Sequence, residues 1–169
     1  MATTFIKIAS VTVGSGGASS IDFTSIPSTY TDLCVKISGR TTESSVYAGI
    51  YVSFNGTAYN STGKVIEGDG SAASSFSFSN GAIAFIAGNT ATSDTFGSTE
   101  LYVPNYAGSA YKSYSSDGVG ENNGTLALAH LNAGLWSNTA AINQITLDAY
   151  SSNTFMQYST ATLYGIKNS

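Results

Sequence analysis

Apolar residues fall at every second position along most of this chain. That period of two restricts what it can fold into, because a helix repeats near 3.6 and a pleated strand at two. In Thr4–Val13, Ile6 and Ile8 lie on one side, with Phe5, Ala9, Val11 and Val13 on the other. Ser20–Thr24 places Ile21 and Phe23 on one face. Thr31–Gly39 alternates Leu33, Val35 and Ile37 with polar residues, and Val46–Phe54 repeats the pattern. Short strands are expected at Gly63–Glu67 and Ser75–Phe78, where Ser71–Ser79 reads as a strand edge. Further strands are expected at Ala82–Ala87, Gly97–Val103, Tyr111–Ser115, Thr125–Leu131, Ile142–Tyr150 and Ser159–Ile166.

The punctuation between these runs is turn chemistry. Gly14-Ser15-Gly16-Gly17 ends the first strand, since glycine tolerates the dihedrals of a tight turn. Ile26-Pro27 is a corner and Pro104 a stop, because proline cannot donate to a ladder. Asn55-Gly56 is a strong tight-turn signal. Asp117-Gly118 and Gly120–Gly124 read as turn and loop. Roughly ten strands at short spacing, with no helical segment, predict an all-β chain. The expected fold is one antiparallel β-sandwich of jelly-roll type, a single domain over 1–169.

Composition narrows the function classes. Charged residues are 9% of the chain, and six basic against ten acidic residues give a net charge of -4. Nucleic-acid binding needs a basic face, so it is not expected. No apolar run approaches the roughly 20 residues of a membrane helix. The N-terminus lacks the basic and apolar regions of a signal peptide. Cys34 has no partner cysteine and lies in the apolar run Leu33-Cys34-Val35, so it is expected to be a buried small hydrophobe. With five Lys, charge can cover few of the exposed strand edges, and partner chains are expected to cover them.

Motifs for chemistry are weak. His130, the only histidine, reads as structural or at a rim, on the strand face of Leu126 and Leu128. No Gly-x-Ser-x-Gly elbow or phosphate loop is present. One His and one Cys cannot fill a zinc shell. Asp117–Asn123 and Glu67-Gly68-Asp69 concentrate oxygen ligands, but neither follows the calcium-loop pattern. The acceptor patterns at Asn55, Asn60 and Asn123 are what a chain rich in Ser and Thr supplies by chance. No catalytic, cofactor-binding or metal-ligating residue is therefore expected.

The aromatic residues stand out instead: 11 Tyr, 8 Phe and one Trp. Tyr102, Tyr106, Tyr111 and Tyr114 cluster around Pro104. Tyr buries area at low entropic cost and is enriched at interfaces. These four and Trp136 are the expected contact surface. Cross-strand packing and a sugar-stacking platform are the other uses of such a set.

The run Ser20-Ile21-Asp22-Phe23-Thr24-Ser25-Ile26-Pro27-Ser28-Thr29-Tyr30-Thr31-Asp32-Leu33 is followed by Ser38-Gly39-Arg40, Phe54-Asn55-Gly56 and Val103-Pro104-Asn105-Tyr106. Leu135-Trp136-Ser137-Asn138-Thr139-Ala140-Ala141-Ile142 and Ala161-Thr162-Leu163-Tyr164-Gly165-Ile166 complete the series. In this order the set resembles small β-sandwich structural proteins of tailed bacteriophages, many of them marine. The resemblance implies a non-enzymatic virion protein assembled in the host cytoplasm. Its implied role is capsid decoration (cement) on the major capsid protein or another virion protein. The alternative is a tail-fibre or receptor-binding module that recognises host polysaccharide. A chain that enters its first strand at once and ends three residues after Ile166 favours decoration. A homo-oligomer, a trimer, is expected.

Overall fold

The computed structural model describes residues 4–58, 60–124 and 127–167. Among them, twelve strands form two antiparallel sheets. They are β1 (Phe5–Thr12), β2 (Ser20–Phe23), β3 (Asp32–Gly39), β4 (Tyr47–Phe54), β5 (Ser61–Gly68) and β6 (Ala73–Phe78), followed by β7 (Ala82–Ala87), β8 (Gly97–Pro104), β9 (Lys112–Gly120), β10 (Leu128–Trp136), β11 (Ile145–Ala149) and β12 (Thr160–Ile166). The larger sheet runs β1-β12-β3-β8-β9-β10-β5-β6 and the smaller β2-β11-β4-β7. One apolar cluster fills the space between them, from Ile21, Phe23, Ile50, Val52 and Phe54 on one side to Leu33, Val35, Leu101 and Leu163 on the other.

The all-β sandwich matches what period two dictates. Without β5, β6, β9 and β10, the order is β1-β12-β3-β8 over β2-β11-β4-β7. The other four strands extend the larger sheet beyond β8, so the division is eight against four.

Turn chemistry acts where the sequence places it. Asn55 and Gly56 both have positive φ, 53° and 70°, as a primed turn requires. The turn joins no hairpin; it hands the chain from the smaller sheet to the larger. Gly17 closes the first turn by donating its N–H to the Gly14 carbonyl. Cys34 is fully buried. Ser71–Ser79 contains β6, an exposed edge strand.

Asp117-Gly118 is not a turn. It lies inside β9, which runs on to Gly120, and Asp117 pairs with Glu100 and Leu131. Gly118 has a different reason to be glycine. It is the register partner of His130, and a Cβ there would sit 2.9 Å from His130 Nε2 and from Thr99 Oγ1. Gly134 does the same for its register partner Tyr114, whose ring lies 2.1 Å from where a Cβ would be. A strand glycine often marks such a close approach. β10 also begins later than expected, at Leu128, and extends to Trp136. Thr125 and Leu126 of the expected strand fall outside the described residues.

Substituting Gly134→Ala is expected to destabilise the fold by about 1–3 kcal/mol, because the buried Tyr114 ring cannot yield. Gly16→Ala, with no atom within 4 Å of the new Cβ, should shift stability by no more than about 0.5 kcal/mol. Urea denaturation of both variants checks the contrast.

Candidate interaction face

The buried polar side chains bond mainly to the protein's own main chain. β7 is the edge of the smaller sheet, and its open side faces β9 and β10 of the larger. Side chains replace the missing neighbour strand there. Ser116 Oγ donates to the Ile83 carbonyl at 2.6 Å and Asn132 Nδ2 to the same oxygen at 2.5 Å. The Phe85 N–H donates to His130 Nε2 at 3.1 Å. This edge is covered from within the chain, whereas β6 at the far edge of the larger sheet stays exposed. His130 is therefore structural, a neutral imidazole with its proton on Nδ1. Burial holds its pKa below the ordinary value, while Glu67 and Asp117 oppose the shift.

Two buried cations work the same way. Arg40 donates to the carbonyls of Asn89, Ala91, Thr92 and Thr95 at 2.7–3.2 Å, organising the loop between β7 and β8. Lys112 Nζ donates to the carbonyls of Gly108, Thr139 and Ala140 at 2.6–3.0 Å, and to that of Asn138 at 3.4 Å.

Three of the five sequence-predicted contact residues are internal, and the expectation is corrected for them. Tyr106 is fully buried; its hydroxyl donates to the Pro27 carbonyl and its carbonyl accepts the Ile142 N–H. Tyr114 and Trp136 are buried and meet Phe54 at ring separations of 5.6 and 5.5 Å. Burial pushes the Tyr114 phenol up to about 12. Lys112 Nζ lies 5.7 Å from the Trp136 ring centre. Such side chains cannot meet a partner. Tyr111 is 59% exposed. Tyr102 is half-buried on the outer face of the larger sheet, where its hydroxyl donates to Asp32 Oδ2 at 2.8 Å.

That outer face spans all eight strands of the larger sheet. One register row crosses all eight strands: Ser10, Thr162, Lys36, Glu100, Asp117, Leu131, Ile66, Ser75. The next row reads Thr12, Thr160, Ser38, Ser98, Val119, Ala129, Gly68, Ala73. The β1 side is hydroxylated and charged, with Lys36 and Glu100 ion-paired across β3 and β8. The β10 side is apolar. Ile66 is 63% exposed, Leu131 55% and Val119 49%. Ile66 and Leu131 are direct partners, and Val119 pairs with Ala129, two residues before Leu131. Strand spacings make the sheet about 34 Å wide and about 26 Å tall, on the order of 900 Å². A standard interface takes roughly 800 Å² from each partner.

A sequence signal for this strip exists. Ala129, Leu131, Ala133 and Leu135 alternate with His130, Asn132 and Gly134. The apolar set faces outward and the polar set inward. This inverts the usual pattern, because β7 needs His130 and Asn132 as partners.

Of the calcium candidates, Asp117–Gly120 is strand. Asp69 Oδ1 accepts the N–H groups of Ser71 and Ala72 and the Ser71 hydroxyl. These bonds lower the Asp69 pKa. Among the described residues, no three His, Cys, Asp or Glu side chains converge. No family model, curated protein or solved structure matches the chain.

Lys112→Met should destabilise by about 1–3 kcal/mol, since it removes the charged donor shared by four loop carbonyls; thermal unfolding measures it. His130 contributes stability that is present above its unfolded pKa of about 6.5 and is lost as pH falls through its lower folded value. The urea midpoint should therefore drop between about pH 7 and about pH 5, and His130→Gln should flatten that drop. Equal slopes in the two proteins would contradict the assignment.

Proposed function

We propose that this chain is a non-enzymatic virion structural protein of a tailed bacteriophage, a capsid decoration protein that adds to the outside of the head. It docks on the major capsid protein or a neighbouring virion protein through the outer face of the eight-stranded sheet. The observation that carries this reading is the strip of Ile66, Leu131 and Val119. These side chains stand exposed and in register on a broad face whose other half is hydroxylated. Contiguous exposed apolar surface on a soluble fold marks an interaction site. An apolar centre beside a polar, hydroxyl-rich border has the anatomy of a wet interface.

The resemblance to phage β-sandwich proteins supplies the particle. Many of the residues that carry it meet in space. Asp32 accepts the Asn105 N–H at 2.9 Å, and Ile142 donates its N–H to the Tyr106 carbonyl at 3.0 Å. Asn55 Nδ2 donates to the Ala141 carbonyl at 2.8 Å. Those contacts brace the fold behind the flat face. A homo-oligomer, with a trimer expected, would multiply a weak single contact.

Purified protein mixed with undecorated heads should co-sediment with them and raise their resistance to heat. Leu131→Lys, opposite Asp117 in the register, should unfold at the wild-type temperature and fail to add. Heads equally stable with and without the wild-type protein would sink the proposal.

A further inference from the structure

The smaller sheet turns a different chemistry outward. Tyr51 on β4 lies between the buried core residues Ile50 and Val52, so alternation points it away from the interior. Its ring packs over Gly49, where a Cβ would lie 3.4 Å from Tyr51 Cε2. It stacks against Tyr150, with ring centres 5.5 Å apart and planes 29° from parallel. Tyr150 is 48% exposed. Asn80 and Ser151 complete a cavity of about 270 Å³ around the two rings.

The backbone that presents Tyr150 is held in an unusual shape. Ser151 and Ser152 both adopt positive φ, 55° and 64°. Two successive non-glycine residues in this region are strained, and such strain concentrates at ligand-binding positions. Asn153 secures the turn: its N–H and its side-chain Nδ2 both donate to the Tyr150 carbonyl, at 3.1 and 2.7 Å. The Tyr150 platform is thus fixed before any ligand arrives.

We infer that the Tyr51–Tyr150 cavity is a binding site for a neutral pyranose residue of a polysaccharide. A sugar ring offers a face of C–H groups and a rim of hydroxyls. A rigid aromatic platform takes the face, and the Asn80 amide, the Ser151 hydroxyl and the tyrosine phenols bond the rim. The volume lies just under the roughly 300–1,000 Å³ of sites for drug-sized ligands, so it suits a single ring. Charge on this sheet selects against anionic sugars. Asp148 is the register partner of Tyr51, and Asp22 lies on the next strand, β2. Burial first, then the Asp22 charge, pushes the Asp148 carboxyl up. The site is on the opposite sheet from the docking face, so a particle-bound protein could present it outward.

The test is a glycan array of glucose, galactose and mannose oligosaccharides beside sialylated and uronate-containing ones, followed by calorimetric titration. Wild type should bind neutral oligosaccharides in preference to anionic ones. Tyr150→Ala should weaken binding about tenfold, the loss of one ring-stacking contact, with an unchanged unfolding temperature. Tyr150→Phe should keep most of the affinity, since the platform remains. Leu131→Lys should bind sugar like wild type, which separates this site from the docking proposal. No binding of neutral glycans, a preference for anionic ones, or Tyr150→Ala binding like wild type would overturn the inference.

Discussion

Every main-chain N–H and C=O removed from water must find a partner, and this requirement shapes the protein more than any other. Ladders satisfy it within the two sheets. Where strands run out, this chain spends its scarce charged and amide side chains. Arg40 and Lys112, two of only six basic residues, are buried against loop carbonyls. Asn55 ties the turn after β4 to the segment before β11. Ser116, Asn132 and His130 stand in for a strand beside β7. A hydrogen bond to a charged donor contributes about 1.5–3 kcal/mol, and leaving a buried carbonyl unmet costs comparably. These side chains are fixed by the fold and are not poised for chemistry.

That solution sets the character of the surface. Because β9 and β10 turn Lys112, Ser116, His130 and Asn132 inward, their other parity faces out: Val119 on β9, and Ala129, Leu131 and Leu135 on β10. A one-residue slip in register would exchange the two sets. Internal bonding to β7 blocks the slip and keeps an apolar strip on the outer face. The smaller sheet follows the ordinary rule, aliphatic inward, and its outer face carries Tyr51, Asp148 and Thr146 among polar neighbours. The two faces therefore offer different chemistry, one broad with exposed Ile66, Leu131 and Val119, the other polar around the stacked Tyr51 and Tyr150 rings.

Much of the architecture was legible in the residues. Leu33, Val35 and Ile37 announce β3, Asn55-Gly56 the turn after β4, Pro104 the end of β8, and Leu33-Cys34-Val35 a buried thiol. The contact surface was much less so. Tyr106 follows β8 in a loop, where period two assigns no side. On β9, inward Lys112, Tyr114 and Ser116 are no more apolar than outward Val119, so alternation carries little signal for Tyr114. Trp136 shares its parity with the polar His130 and Asn132, so alternation alone assigns it no side.

By itself the sequence determined that the chain would be strands with two unlike faces, punctuated by glycine and proline, because period two and turn dihedrals are local properties. Which face would be covered was decided only in three dimensions. Whether His130 or Leu131 points inward depends on β7, some 45 residues away, and on main-chain groups there that no window of sequence reveals. The same holds for Tyr51 and Tyr150, which are distant along the chain and adjacent only through the turn that follows the β4–β11 pairing.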